Sequence, residues 1–191
     1  MARVDAIEDV ILRRGSARRF ARLPIASAQL SSILEPATRG IAADFSPSEG
    51  GHLNDLYVIA HAVDGLAAGA YFYDPAARRL ELLQPGDFRE EAAFLGLEQD
   101  LPGDAAAAVF FLADLEAVLA RLGNRGYRAV QLEAGILGGR IYLAAYAQGL
   151  GATGLTFYDD EVIRFFSPHA AGKSAIFLVA IGHASSLVRL R

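Results

Sequence analysis

The sequence predicts an α+β fold, a sheet wrapped by helices, and three observations carry that expectation. Candidate strands and helices are interleaved along the whole chain rather than gathered into separate halves. Residues 105–112 are apolar without interruption and are bounded by Pro102-Gly103-Asp104 on one side and Asp114 on the other, the pattern of a short strand buried on both faces. Residues 125–150 read as a single helix, about 39 Å long at about 1.5 Å per residue. It is apolar nearly all round, so it is expected to be buried on most sides, as a central helix or a subunit contact would be.

The elements follow in order. Residues 4–14 form a helix with Ile7, Val10 and Ile11 on one face. Ser27 caps a second helix that runs to about Glu35, ahead of Pro36. A turn-rich stretch, residues 42–51, holds Ser46, Pro47, Ser48, Gly50 and Gly51. Three strands are expected at 55–63, 68–73 and 79–83, with Asp74-Pro75 turning the chain between the last two. A helix at 88–99 precedes the apolar strand, and a short helix at 114–122 precedes the long one. A strand at 154–157, a helix at 160–166 and a strand at 174–182 complete the list. No repeat, low-complexity tract or Ser/Gly linker divides the chain, so residues 1–191 read as one domain.

Composition excludes several function classes. Net charge is only -4 and no long run of Lys or Arg occurs, so neither nucleic acid nor a membrane surface has an electrostatic footprint. Cysteine is absent, which removes disulfides, thiolate nucleophiles and zinc-ribbon spacings, and suits a reducing compartment. The N-terminus mixes Asp5, Glu8 and Asp9 with arginines and is not a signal peptide. Residues 129–150 carry Glu133, Arg140 and Gln148, which a membrane span would accommodate poorly. A cytoplasmic domain is therefore expected. His52, His61, His169 and His183 are scattered without metal-ligand spacing. There is no GxSxG elbow, and Gly172-Lys173-Ser174 is too short for a P-loop, so no metal is expected.

Four segments carry candidate chemistry. Arg13-Arg14-Gly15-Ser16-Ala17-Arg18-Arg19-Phe20 either forks guanidiniums and a hydroxyl around a phosphate, or neutralises the dipole of the helix it ends. Ser46-Pro47-Ser48-Glu49-Gly50-Gly51 is either a surface turn or a backbone able to approach a flat ring closely. In Gly149-Leu150-Gly151-Ala152-Thr153-Gly154-Leu155-Thr156-Phe157, two glycines stop the long helix and a third opens a strand. That stretch is not a dinucleotide fingerprint, since no strand precedes it and no helix follows its last glycine. Arg189-Leu190-Arg191 places two arginines on one side of an extended tail, or frays in solvent.

Taken together and in this order, the four segments resemble the nitroreductase family of FMN-dependent oxidoreductases, from about Ile11 to Arg191. The resemblance implies a central mixed, mainly antiparallel sheet and a long buried helix at a homodimer interface. It places Arg14, Gly15, Ser16 and Arg18 at the flavin phosphate, with Arg189 and Arg191 returning to the same anion. Ser46, Pro47, Ser48 and Gly51 are expected to reach the flavin from the partner subunit. Gly154, Leu155 and Thr156 lie beside the isoalloxazine, a backbone N–H of Leu155 or Thr156 facing N5, and Gln99 stands near the ring. NADH or NADPH is the implied donor, passing hydride by way of flavin N5 to a small nitroaromatic or quinone-like acceptor in a ping-pong cycle. Tyr57-Val58-Ile59-Ala60, Gly69-Ala70-Tyr71-Phe72-Tyr73-Asp74-Pro75, Gly126-Tyr127-Arg128 and Glu133-Ala134-Gly135 are similar to the SagB-type dehydrogenase branch. That branch implies peptide or small-molecule tailoring as the alternative activity, and a flavin-holding domain without turnover is a third. The branch's azoline oxidases use a Lys-Tyr pair where Arg121 and Leu122 stand here, and neither residue can exchange a proton in that role, so azoline oxidation is not expected. Gly139-Arg140 replaces the family's usual Gln-Asn in the long helix.

Overall fold

A computed structural model describes residues 6–46 and 51–185. The core is a seven-stranded sheet. Its strands are β1 (Phe20–Ala21), β3 (Asp55–Ala60), β5 (Gly69–Asp74), β6 (Arg79–Pro85), β7 (Ala107–Ala113), β8 (Gly151–Leu155) and β9 (Ser174–Ala184). The spatial order is β1-β9-β7-β3-β5-β6, with β8 also paired to β9. Every pairing in this sheet is antiparallel. Among the described residues the one parallel ladder is a separate pair, β2 (Ile25–Ala26) with β4 (Val63–Asp64).

The expected apolar strand, observed as β7, is buried at every position. Its alternation feeds two cores. Val109 and Phe111 pack with Val58 and Val179 beneath α2 (Ser27–Ala37) and α6 (Arg125–Ala147). Ala108, Phe110 and Leu112 pack with Tyr57, Ile59 and Leu178 beneath α3 (Arg89–Leu95) and α7 (Asp159–Phe166). A strand covered by helices on both faces has no polar side to show, which is why its sequence lacks alternation.

Two expected elements are corrected. The single helix at 88–99 breaks into α3 and α4 (Asp100–Asp104). Gly96 caps α3, Leu97 and Glu98 adopt left-handed backbone (φ 59° and 57°), and the Gln99 side-chain amide donates to the Gly96 carbonyl at 2.7 Å. Gly96 is required there, since a Cβ would lie 2.5 Å from Pro102 Cγ. The long helix ends at Ala147, not 150: Gly149 alone turns left-handed (φ 75°), while Gly151 already belongs to β8. The strand expected at 154–157 therefore begins three residues earlier. The helix expected at 4–14 is observed as α1 (Ile7–Arg13), its first residues lying outside those described. A short α5 (Leu115–Leu122), capped by the Asp114 carboxylate accepting from Ala117 N–H, precedes α6.

Within one chain α6 is buried on one side only. Val130, Glu133, Leu137 and Ile141 face the core, while Tyr127, Leu132, Gly135 and Gly139 are exposed. Glu133 anchors the helix to the loop before β3. One carboxylate oxygen accepts from Leu53 N–H (2.8 Å), Asn54 N–H (2.7 Å) and the Asn54 side-chain amide (2.8 Å), the dense hydrogen bonding a buried carboxylate needs. Among the described residues no helix is long and apolar enough to cross a membrane.

Burial also sets a pH dependence. His61 lies under α4, one ring nitrogen 3.1 Å from the Pro102 carbonyl and the other buried without a partner. Desolvation first, then the Arg89 charge, pushes its pKa down to about 4. The unfolded chain, titrating near 6.5, takes up this proton before the native one, so stability falls as pH drops from about 6.5 to 4. That interval is worth about 3 kcal/mol at about 1.4 kcal/mol per unit. Denaturant unfolding at pH 7 and pH 4 is expected to show a smaller loss in His61→Gln than in the wild type; equal losses would exclude His61 as the source.

Candidate active site

The site is assembled by β9. Residues Leu178–Gly182 of β9 pair with β8, and the next two, His183–Ala184, pair with β1. The arginine segment that precedes β1 is thereby laid against the start of β8, where Ala17 N–H donates to the Ala152 carbonyl at 3.0 Å. Gly151 permits the approach: a Cβ there would lie 2.8 Å from that of Ala184 and 3.2 Å from that of Ala17.

Beside this junction lies a slot of about 630 Å³, lined on one wall by Ile11, Arg14 and Ser16 and on the other by Gly135, Gly138, Gly139 and Tyr142 of α6. The volume falls within the roughly 300–1,000 Å³ of small-molecule sites. Phe177 of β9 also lines it. Its ring is wedged between two glycines, since a Cβ on Gly138 would lie 2.5 Å from Phe177 Cε1 and one on Gly154 2.9 Å from Cζ. The result is an aromatic surface that lies close to both α6 and β8.

Electrostatics at the slot are one-sided. Arg14, Arg18 and Arg19 are exposed, and among the described residues none has an ion-pair or hydrogen-bonding side-chain partner. Arg13 instead donates to the Tyr146 carbonyl at 2.8 Å, tying α1 to the end of α6. No carboxylate or imidazole lines the slot. Unpaired guanidiniums beside a concave surface are suited to an anionic head group.

The sequence-expected residues divide into three sets. Arg14, Ser16 and Gly154 are brought together, with Gly15 and Arg18 on the same segment. Ser16 Oγ lies 3.4 Å from the Tyr142 hydroxyl, which also accepts the Gly154 N–H. The β8 register separates the two amides expected at a ring edge. The Ala152 carbonyl and the Gly154 N–H both point away from β9, so strand alternation turns Leu155 N–H toward β9. Thr156 follows the last residue of β8, and the Leu155 side chain packs against the core.

The second set is not in the slot. Ser46 Oγ donates to the Ile41 carbonyl at 2.6 Å, and Gly51 lines a different cavity with His52 and Asn54. Arg121 donates to the Phe45 carbonyl and Arg125 pairs with Asp44, which holds this loop at the N-terminal end of α6. From Arg125 to Gly135, the nearest slot residue on α6, the helix rises about 15 Å, so Ser46 stands outside its own chain's slot. Gln99 is likewise committed locally, to Gly96. The third set, Pro47, Ser48, Arg189 and Arg191, lies outside the described residues. The described chain ends next to the arginine segment, with Ser185 N–H donating to the Arg19 carbonyl at 3.0 Å. Arg140, in the Gly139-Arg140 pair of α6, donates to the carbonyls of Ala37 and Arg39 and so ties α6 to the end of α2.

Tyr142, Phe177 and Gly138 were not among the expected residues. Their one sequence signal is glycine inside regular structure: neither Gly138 in the helix nor Gly154 in the strand has a positive φ, so each marks a close approach rather than a turn.

An antiparallel sheet clad by helices, with unpaired guanidiniums beside an aromatic-lined slot, defines an α+β protein whose site suits a ligand with an anionic head and a flat body. The chain belongs to the nitroreductase family, whose family model matches residues 11–183, and is accordingly an oxidoreductase. A protein of Methanocaldococcus jannaschii named as a nitroreductase is 30% identical over 162 residues, covering 82% of this chain and 81% of that one. A nitroreductase-named crystal structure from Ralstonia eutropha superposes with a TM-score of 0.77 at 25% identity, covering 97% of this chain and 86% of its own. One from Anabaena variabilis superposes at 0.84 with 29% identity over 94% of this chain, which spans only 38% of that longer protein. The fold alone is shared with the Escherichia coli microcin synthetase McbBCD complex (TM-score 0.75, 16% identity) and the Vibrio harveyi NADPH:FMN oxidoreductase complexed with NAD+ (0.64, 17%).

The Phe177 wedge is directly testable. Gly138→Ala is expected to destabilise the protein by about 1–2 kcal/mol, the overpacking cost of about 1–3 kcal/mol less the helix-propensity gain of up to about 1 kcal/mol. Adding Phe177→Leu clears the space, so thermal or denaturant unfolding should show the two changes to be non-additive. Additive effects would mean that Gly138 does not seat this ring.

Proposed function

We propose that this protein is an FMN-dependent oxidoreductase that takes reducing equivalents from NADH or NADPH and delivers them to a small nitroaromatic or quinone-like acceptor, with the flavin held at the seam of a symmetric homodimer. The observation that carries the reading is the convergence of Arg14, Ser16 and the glycine-flanked Phe177 ring at one slot, with Arg18 exposed on the same segment as Arg14 and Ser16. The name of the Vibrio harveyi neighbour, an NADPH:FMN oxidoreductase, is in keeping with it.

Bound flavin supplies the two-electron redox chemistry, and the chain supplies binding, orientation and electrostatics. Arg14 and Arg18 neutralise the phosphate, with Arg189 and Arg191 joining them from the tail that leaves Ser185 beside Arg19. Thr156 N–H, just beyond the end of β8, would donate to a ring nitrogen. Donor and acceptor occupy the same slot in turn, a ping-pong arrangement, and hydride chemistry of this kind requires no protein general acid, in keeping with a lining free of carboxylate and imidazole.

Two features support the dimer. Ser46 follows Phe45 and Asp44, which are held at the start of α6, about 15 Å along the helix from Gly135, the nearest slot residue, so a contribution from Ser46 to a flavin site would come from a second copy. The exposed Tyr127 and Leu132 of α6, with Ile7, Ile11 and Leu12 of α1, leave an apolar surface for that copy to cover. The alternative of azoline oxidation is disfavoured here, because Arg121 is committed to the Phe45 carbonyl and Leu122 packs into the core beneath α6.

Purified protein is expected to be yellow and to bleach anaerobically with NADH or NADPH. Bound flavin that neither reduces would contradict the oxidoreductase reading. Arg18→Glu is expected to weaken FMN binding by about 10- to 100-fold, the loss of one charge-assisted hydrogen bond worth about 1.5–3 kcal/mol; unchanged affinity would remove Arg18 from the phosphate site.

A further inference from the structure

Donor and acceptor counting around Tyr142 fixes more than the position of its hydroxyl. The Gly154 amide can only donate, so the phenol oxygen is its acceptor. The phenol proton remains available to donate, and among the described residues the one protein oxygen within reach is Ser16 Oγ at 3.4 Å, a contact in which either hydroxyl can be the donor. Among the described residues Ser16 makes no other side-chain hydrogen bond. Ser16 lines the slot alongside Arg14, and with Tyr142 as the donor its own proton is left free for a ligand there. In that arrangement the polarity runs one way, from the Gly154 N–H through the Tyr142 O–H to the Ser16 O–H. Successive hydrogen bonds of one sense polarise each other. The Ser16–Tyr142 contact is long for an O–H···O bond, and an anion approaching Ser16 strengthens it by drawing proton density along the chain.

We propose that Tyr142 is a positioning residue for phosphate recognition: it orders Ser16 as a committed donor to a phosphate monoester and couples that grip to the β8 edge where a ring would lie. This rests on the flavin reading above, and it adds a prediction that reading does not make. Removing the phenol oxygen should affect ligands with a phosphate and spare those without one. A side chain that merely packs in the slot wall would affect both alike.

The test compares FMN with riboflavin, which share the ring and differ in the phosphate, using flavin fluorescence titration of the full-length apoprotein. Tyr142→Phe is expected to lower the FMN-to-riboflavin affinity ratio by about 3- to 10-fold, and Ser16→Ala to lower it similarly. The double variant is expected to lose no more than the larger single loss, because each change breaks the same chain. Replacing Tyr142 by a fluorinated tyrosine, whose more acidic phenol donates more strongly while its shape is nearly kept, should raise the ratio, and this arm serves if Tyr142→Phe does not fold. An unchanged ratio, equal losses of both ligands, or additive losses in the double variant would each overturn the proposal while leaving FMN binding intact. A wild-type protein that binds neither flavin would instead overturn the flavin reading, and this inference with it.

Discussion

The constraint on which the site depends is that β9 serves three partners. β7 pairs with Ser174–Ile181, β8 with Leu178–Gly182 and β1 with His183–Ala184. Because the chain enters the fold at β1 and leaves it after β9, this division brings the N-terminal arginines, the glycine-rich strand after the long helix and the departing C-terminus to one corner of the sheet. The glycines keep that corner narrow. Gly151 lets Ala17 and Ala184 meet, and Gly138 and Gly154 let Phe177 lie close to both helix and strand. Larger side chains at these positions would push α6 or the arginine segment away from the sheet, and the slot would lose its floor or its cationic mouth.

The energetic consequence is a site that is partly unsatisfied by design of the packing. The hydrophobic cores on either face of β7 are closed, Glu133 is fully hydrogen-bonded on one oxygen, and exposed ion pairs such as Arg22–Asp104 are of the kind that contribute little. Against that background Arg14, Arg18 and Arg19 lie within one short exposed segment and have no side-chain partner among the described residues. An anion that pairs with them gains charge-assisted hydrogen bonds absent from the unliganded chain. Binding of such a ligand to the native state alone stabilises the fold by mass action.

Much of the fold was legible in the chain, and the reasons are local. The unbroken apolar run of β7 announced burial on both faces, and the length and apolar composition of α6 announced a long helix, although one chain buries only one of its sides and it ends three residues earlier than expected. The missed elements, β1, β2 and β4, are two residues each, too short to carry a period-2 signal. The helix break at Gly96 was hidden because its cause is tertiary, the contact with Pro102. In the site, the arginine segment was legible through its charge, whereas Tyr142 and Phe177 are ordinary helix and strand residues whose roles arise only when α6, β8 and β9 are packed together. Ser46 shows the converse: its segment's composition suggests ligand contact, yet its hydroxyl is bonded to the Ile41 carbonyl, beside residues that Arg121 and Arg125 hold at the start of α6.

A crystal structure of the protein grown with FMN is the most direct measurement of the central claim. The account predicts one flavin per chain, its phosphate within hydrogen-bonding distance of Ser16 and Arg14, its ring against the Phe177 and Gly138 surface with an edge at the Thr156 amide, and Ser46 or Gly51 of a second copy closing the far side. Flavin bound elsewhere on the chain, or with its phosphate remote from Ser16 and Arg14, would contradict it.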